Sequence, residues 1–148
     1  MQSQDRNQLE PQPRARTALT PARSMKDDDL AQRLLQMAAQ GLQIVGALPP
    51  TLPGKHIASQ LLRSVTACGA NYEEARGAES KRDFIHKLSI TRKEAHETRY
   101  WLRLAEVSRL VPAASLVGLL AEVDAVCRIL GKSIATARAN SGDVSTAS

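Results

Sequence analysis

Apolar side chains recur every three or four positions along four long stretches of this chain, and prolines, glycines or short polar runs separate the stretches. Such a period places the apolar positions of each stretch on one face of an α-helix. It predicts helices over about residues 27–48, 55–77 and 81–109, with a fourth after Pro112. Connections of only a few residues favour antiparallel neighbours. We therefore predict an all-α, antiparallel up-down-up-down four-helix bundle over residues 27–138.

Capping and breaking residues mark the ends of these helices. Asp27, Asp28 and Asp29 open the first helix, where the helix dipole favours negative charge, and Pro49-Pro50 closes it. Ser80 stands three residues before Asp83, a spacing typical of a capped helix start. The predicted core positions are Leu30, Leu34, Met37, Gly41 and Val45, widened by Leu35 and Leu42; Ile57, Leu61, Val65, Cys68 and Tyr72; Phe84, Leu88, Thr91, Ala95, Thr98, Leu102 and Ala105; and Leu116, Leu120, Val123, Cys127, Leu130, Ile134 and Ala137.

Composition agrees with one small helical domain. The chain has 148 residues and only 3% aromatic side chains, so the core must be built from aliphatic residues on helices. No apolar run approaches the roughly 18 residues that a membrane span needs, and the N-terminus lacks the apolar segment of a signal peptide. We expect a cytoplasmic protein that does not associate with membranes. Cys68 and Cys127 fall on apolar stripes and are expected to be buried, reduced thiols.

The two ends of the chain differ from the helical part. Residues 1–26 are rich in Gln, Arg and Pro without an apolar period, and residues 139–148 are small and polar, so we predict a disordered basic arm and a disordered tail. The arm carries a formal charge of +3, residues 27–138 another +3 and the tail −1, for a total of +5. A mildly basic folded part permits nucleic-acid contact without requiring it.

Catalytic and metal-binding patterns are incomplete. Asp83 and His86 supply one acid-x-x-His pair, whereas a di-metal bundle needs two such pairs and further inward carboxylates. Residues 96–100 read HETRY and lack the second histidine of the zinc motif HExxH. There is no glycine-rich phosphate loop and no nucleophile elbow. We expect no enzyme activity, no metal, no cofactor and no small-molecule substrate.

Basic residues on the third helix form the strongest candidate binding surface. A stripe with spacing four, three and four lies beside the core stripe, and further basic residues adjoin it. The candidate nucleic-acid contacts are Arg82, Arg92, Lys93, His96, Arg99 and Arg103. A solvated helix face with pairs such as Lys93 and Glu97 explains the same pattern equally well.

Polar residues beside the most apolar part of the chain predict a structural network. Arg63, Ser64, Asn71 and Glu74 need partners there, and an antiparallel second and third helix would place a partly buried Arg63 opposite Glu94 or Glu97. The predicted network is Arg63, Asn71, Glu74, Glu94 and Glu97. A role in fixing the register of the helices is favoured over a ligand site, because the pattern shows no concavity.

Tyr100, Trp101 and Leu104 lie off the core stripe of the third helix and predict an oligomer interface. The alternative is a tryptophan at the rim of the bundle, covered by its own chain.

A family resemblance is carried by four segments: IASQLLRS at 57–64, GANYEEA at 69–75, SKRDFIHKL at 80–88 and KEAHETRYWL at 93–102. Together they resemble the central pattern of the bacterial four helix bundle protein family, also called 23S rRNA intervening-sequence proteins. Weaker similarity extends over residues 27–138. Members of that family are similar in fold to the accessory variability determinant proteins of diversity-generating retroelements.

That resemblance implies a homo-oligomer, a pentamer, that engages RNA and a reverse transcriptase. The expected function is thus a non-enzymatic helical scaffold that binds RNA or a nucleoprotein partner, as a reverse-transcriptase accessory protein. The alternative is a protein-interaction module or a purely structural oligomer without nucleic-acid binding.

Overall fold

Four α-helices make up the bundle. The computed structural model describes residues 25–142 and contains α1 (Met25–Ala47), α2 (Leu52–Arg76), α3 (Lys81–Val107) and α4 (Ala113–Gly142), with no strand among these residues. Each helix packs against the next along the chain, and α1 also packs against α4. The predicted all-α four-helix bundle is confirmed. The remainder of the predicted arm and tail, residues 1–24 and 143–148, lies outside the described residues.

The helix ends follow local capping, and they correct several predicted boundaries. α2 begins at Leu52, three residues earlier than predicted, because Thr51 caps it by accepting a hydrogen bond from the Gly54 amide at 3.3 Å. α3 begins as predicted, with the Asp83 amide donating to Ser80 Oγ at 3.0 Å. α3 ends at Val107, two residues before the predicted end.

The outermost helix ends lie beyond the predicted bundle limits. α1 begins at Met25, inside the predicted arm, and α4 continues to Gly142, four residues into the predicted tail. In α4 the alanines that alternate through residues 135–139 favour helix, and Ser141 Oγ donates to the Ala137 carbonyl at 2.9 Å. Small polar residues at a helix end therefore did not stop this helix.

The core contains most of the predicted positions, but a few predicted positions of α1 and α4 are not buried. Leu35 and Leu42 are 63% and 48% exposed, because they lie about 100° around α1 from the buried stripe that contains Leu34. Ile44 replaces Val45 in the α1 core, and Leu119 replaces Leu120 in α4. In both helices two adjacent aliphatic residues compete for one inward position, and the neighbouring helix selects one of them.

A small buried polar cluster joins α2 to α3. Thr98 Oγ1 lies 3.0 Å from Ser64 Oγ and 2.9 Å from the Glu94 carbonyl oxygen. Cys68 Sγ donates to the Ser64 carbonyl at 3.3 Å, and burial raises the pKa of this thiol to about 12. Buried polar atoms that are satisfied in one register only disfavour sliding of the two helices. Both Cys68 and Cys127 are buried, as predicted.

Candidate nucleic-acid interface

The basic stripe of α3 lies along the seam between α3 and α4. The two helices run antiparallel, with Arg92 level with Gly131 and Arg99 level with Asp124. This register places two basic residues of α4, Arg128 and Lys132, across from the stripe. Their spacing of four residues keeps both on one side of α4. The seam therefore carries basic side chains from both helices.

A groove of about 440 Å³ follows this seam. It is lined by Arg92, His96, Arg99, Asp124, Cys127, Arg128, Gly131 and Lys132. Four of these residues carry a permanent positive charge and one carries a negative charge, which leaves a local excess of positive charge in a concave surface. Clefts of this kind attract polyanions. We call this surface the basic groove.

Side-chain packing orients the cations in the basic groove. Arg99 forms an ion pair with Asp124, with Nε and Oδ1 2.6 Å apart. The Arg92 guanidinium lies over Gly131, where an added methyl group would come within 3.5 Å of Nε. Cys127 lies at the base of the groove, and burial raises the pKa of its thiol. Within residues 25–142, no ion pair involves Arg92, Arg128 or Lys132.

The remaining predicted nucleic-acid residues do not line the basic groove. Arg103, one turn beyond Arg99, is paired with Glu106 in its own helix. Arg82 lines a separate hollow at the far end of the same seam, together with Lys81 and Arg138. Lys93 is exposed outside the groove. The structure thus brings together Arg92, His96 and Arg99 from the predicted set of six.

Sequence reasoning missed Arg128 and Lys132. Their spacing of four was visible, but a pair of basic residues on a helix is common on solvated faces. Only the register between α3 and α4 shows that they face Arg92 and Arg99. The missing information was the register of the two helices. In the antiparallel α3–α4 pair, residues whose numbers add up to about 223 lie side by side, as Arg92 and Gly131 do.

The predicted polar network is only partly present in the structure. Arg63 pairs with Glu94 at 3.1 Å and also with Glu97, which confirms its predicted partners. The hydrogen bond from Arg63 lowers the pKa of Glu97 and raises the pKa of Arg63. Arg63 itself is 49% exposed at its side chain, so the expectation of a partly buried cation is wrong. It lies at the edge of the seam, where its guanidinium reaches both carboxylates from solvent.

The other two network residues act separately. Asn71 Nδ2 donates to the Ala67 carbonyl of its own helix at 2.9 Å, so the prediction that it joins an interhelical network is wrong. A short amide side chain satisfies itself against the preceding turn without reaching a neighbouring helix. Glu74 pairs with Lys87 across the α2–α3 seam.

Of the predicted oligomer interface, only Tyr100 presents a mostly exposed ring, at 58%. Trp101 is half-buried against its own bundle, with Nε1 donating to Glu97 Oε1 at 3.3 Å and with edge contacts to His56 and Tyr100. Leu104 is also half-buried and packs on the core. The oligomer interface remains a prediction. The apolar surface available for it is smaller than the sequence indicated.

Residues 25–142 contain no cluster of three His, Cys, Asp or Glu side chains arranged to hold a metal ion. None of the four helices is long and apolar enough to cross a membrane.

Comparison with known proteins places the chain in a family. A family model described as 23S rRNA-intervening sequence protein matches residues 26–132. A crystal structure of a protein of unknown function from the S23 ribosomal protein family of Bacteroides thetaiotaomicron is 32% identical, covers 74% of this chain and 98% of its own, and superposes with a TM-score of 0.69. A search of the curated proteins found no significant match. The chain belongs to the 23S rRNA-intervening sequence protein family.

Proposed function

We propose that this protein is a non-enzymatic helical scaffold that binds the phosphate backbone of RNA along the basic groove. The observation that carries the proposal is the convergence of Arg92, Arg99, Arg128 and Lys132 on one concave surface, where Asp124 is the single acid among the lining residues. The matching family is described by reference to 23S rRNA, and the Bacteroides protein by reference to a ribosomal protein family. Neither description names a reaction.

The chemistry of the basic groove suits phosphate rather than bases. Guanidinium groups bind phosphate oxygens through two parallel hydrogen bonds, and an ammonium group binds them as a point charge. Phosphate contacts fix the position of a nucleic acid but carry no sequence information. His96 is the only aromatic side chain among the lining residues, so the groove offers little surface on which bases stack. We therefore expect binding with little sequence preference.

The proposal extends to a homo-oligomer, a pentamer by the family resemblance, with Tyr100 and its neighbours at the contact. Repeating the basic groove around an assembly lets several weak phosphate contacts act on one RNA molecule, which raises the overall affinity without a new contact. In the same proposal a reverse transcriptase is the protein partner. The competing proposal is a protein-interaction module that does not bind RNA, for which the exposed Tyr100 ring beside Trp101 supplies the surface.

Fluorescence anisotropy with a single-stranded RNA, measured across a salt series, tests the RNA proposal. The variant Arg92→Gln/Arg128→Gln/Lys132→Gln removes three groove charges. The matched control Lys26→Gln/Lys55→Gln/Arg109→Gln removes three exposed charges outside the groove. Each lost phosphate contact should reduce the slope of log K against log salt by about 0.7, so the groove variant should flatten the slope by about 2.

The control should bind nearly as the unaltered protein does. An unchanged slope and affinity in the groove variant, or an equal loss in the control, would contradict specific use of the basic groove. Binding of a protein partner that persists at high salt and is lost on Tyr100→Ala would favour the competing proposal.

A further inference from the structure

A closed ring of more than two identical copies needs two different contact surfaces on each copy. One surface of a subunit docks on another surface of the next subunit, and the rotation repeats until the ring closes. The exposed Tyr100 ring supplies only one of these two surfaces. The second surface must lie elsewhere on the bundle and be complementary to the first.

The first surface is the outer face of α3. Tyr100 and Val107 are 58% and 70% exposed, and their separation of seven residues places them on one side of the helix. This side is turned about 200° from the buried Thr98, so it points away from the core. Lys93, seven residues before Tyr100, is exposed on the same side and forms no ion pair within residues 25–142. We call Lys93, Tyr100 and Val107 the α3 ridge.

The second surface is a hollow of about 780 Å³ between α1 and α2. Leu35 and Leu42 line it, are substantially exposed and are also seven residues apart. Asp28, seven residues before Leu35, lines the same hollow. No charged residue occurs from residue 34 to residue 54, so the α1 side of the hollow is depleted of charge beyond its first turn. Exposed aliphatic side chains without neighbouring charges are typical of the centre of a protein interface.

Antiparallel packing of α2 on α1 gives the α1–α2 hollow three levels, about 10 Å apart. The ion pair of Arg76 with Asp28 defines the first level. A methyl group on Gly69 would come 3.9 Å from Cβ of Leu34, which defines the second level. Steps of seven residues along both helices then give three pairs, which are Asp28 with Arg76, Leu35 with Gly69, and Leu42 with Leu62.

Charge complementarity sets the direction in which the ridge docks in the hollow. At the first level, the exposed carboxylates of Asp28 and Glu73 share Arg76, the only cation among the lining residues, which leaves an excess negative charge. Lys93 is the cation at one end of the α3 ridge. It meets this acidic level, with the rest of the ridge still in the hollow, only when α3 of one copy lies parallel to α1 of the next. Complementary charges of this kind fix the register of a contact.

The apolar residues of the ridge match the other two levels in the same arrangement. Tyr100 reaches the second level, where Gly69 has no side chain and leaves room for the ring beside Leu35. Val107 reaches the third level, between two leucines that are both more than 40% exposed. Docking therefore removes apolar surface of both copies from water, which is favourable.

A ring whose axis runs along the bundle imposes the same parallel arrangement. All copies in such a ring point the same way. In an up-down-up-down bundle α1 and α3 run in the same direction, so α1 of one copy meets α3 of the next in parallel. The direction that the charges favour is thus the direction that the ring requires.

We propose that the α1–α2 hollow is the receiving surface of the ring, in which the α3 ridge of the next copy docks. This inference rests on the proposed ring and does not depend on RNA binding. Arg92 and Arg99 lie about 80–100° around α3 from Tyr100, toward α4, so the basic groove stays outside the contact. Every copy buries its hollow and its ridge and keeps its phosphate-binding surface open.

Sedimentation velocity of the full chain without RNA, between about 1 and 100 µM, tests the role of the hollow. The variant Leu35→Glu/Leu42→Glu places two carboxylates in the hollow. The matched control Leu52→Glu/Val117→Glu alters two residues that are 84% and 63% exposed and lie outside both surfaces. The hollow variant should raise the concentration needed for assembly at least about a hundredfold, because a buried, unpaired carboxylate is costly. The control should assemble as the unaltered protein does.

Cross-linking of introduced cysteines tests which surface the hollow receives. Leu42 of one copy faces Val107 of the next in the proposed contact, so a short bis-maleimide reagent should link Leu42→Cys/Val107→Cys into chains of up to five copies. Leu42→Cys alone and Val107→Cys alone should stay unlinked, because each leaves one side of the contact without a thiol. The native Cys68 and Cys127 are buried and should not react.

Circular dichroism shows whether the hollow variant is folded, and Leu35→Gln/Leu42→Gln replaces it if it is not. A ring unaffected by the hollow variant, an equal loss in the control, an unlinked double-cysteine variant or linkage of either single variant overturns this inference and leaves the proposed ring in place. A chain that stays monomeric over the whole range overturns both. RNA affinity is measured separately in either case.

Discussion

The two halves of this bundle share a core geometry but carry very different surfaces. Residues 25–76, which hold α1 and α2, contain five basic and five acidic residues, so their formal charges cancel. Residues 81–142, which hold α3 and α4, contain eleven basic and six acidic residues, a formal excess of +5. Both halves bury aliphatic stripes of the same period. The difference therefore lies in positions that the core does not constrain, and these are the positions where function is encoded.

Ion pairs between the halves increase the contrast. Arg33 of α1 pairs with Glu122 of α4 at 2.9 Å, and Arg63 of α2 pairs with Glu94 of α3 at 3.1 Å and with Glu97. Cations of the first half thus neutralise three acids of the second. These acids lie away from the α3–α4 seam, so the basic groove keeps Asp124 as its nearby counter-charge.

The largest expected effect compares two adjacent leucines of α1. Leu34 is fully buried, whereas Leu35 is 63% exposed in the shallow hollow between α1 and α2. Leu34→Ala should lower the free energy of unfolding by about 2–5 kcal/mol through lost burial and a cavity, and Leu35→Ala by less than about 0.5 kcal/mol. Urea unfolding at a concentration where the chain is monomeric measures both. A large loss on Leu35→Ala would show that this side of α1 is part of the monomer core, and it would contradict the expected difference between the two leucines.

Replacing one glycine in each half by alanine should change the stability by a smaller amount, with opposite signs in the two halves. A methyl group on Gly41 of α1 would come within 2.8 Å of the buried Val65 side chain, whereas Gly118 of α4 has no atom within 4 Å of that position. Valine is stiff at χ1, so Gly41→Ala should destabilise the α1–α2 seam by about 1–3 kcal/mol despite the helix preference of alanine. Gly118→Ala should instead stabilise α4 by up to about 1 kcal/mol. Thermal unfolding of both variants checks the opposite signs, and a stabilised Gly41→Ala would mean that α1 packs less closely on α2.

The comparison also shows where sequence reasoning reaches its limit. The α2–α3 register was predictable, because charged residues such as Arg63 and Glu74 occur beside a mostly apolar stripe and each had a partner of opposite sign at the right distance along an antiparallel helix. The width of the α1 face that enters the core was not predictable. The period places Leu34 on the core stripe, but whether the buried face extends to the neighbouring Leu35 depends on packing against the other helices.

Only the α3 side of the candidate site was predictable, because the α4 side depends on helix packing. Periodicity on a single helix reveals a stripe, and it identified Arg92, His96 and Arg99. A groove needs the register between two helices, which depends on close contacts such as that of Arg92 with Gly131. Such contacts leave no periodic signal, so Arg128 and Lys132 were indistinguishable from ordinary surface charge.

The smallest expected effect concerns Arg63, which links the two halves. Its hydrogen bond lowers the pKa of Glu97, so the folded state holds this proton less tightly than the unfolded chain does. The resulting stabilisation is fully present above the unfolded pKa of about 4.3 and is lost as the pH falls through the lower pKa of the folded state. Because the guanidinium is half exposed, we expect Arg63→Met to cost only about 0.5–1 kcal/mol at neutral pH.

Urea unfolding of the unaltered protein and of Arg63→Met, from pH 7 down to about 3, measures this contribution. The difference between the two should be largest at neutral pH and should decrease as the pH falls toward the acid end. Arg103→Met is the matched control, because Arg103 pairs with Glu106 inside α3 and joins no second helix. It should show a smaller difference at every pH. A difference for Arg63→Met that stays constant with pH would assign its effect to packing of the side-chain stem and would remove the electrostatic link between the halves.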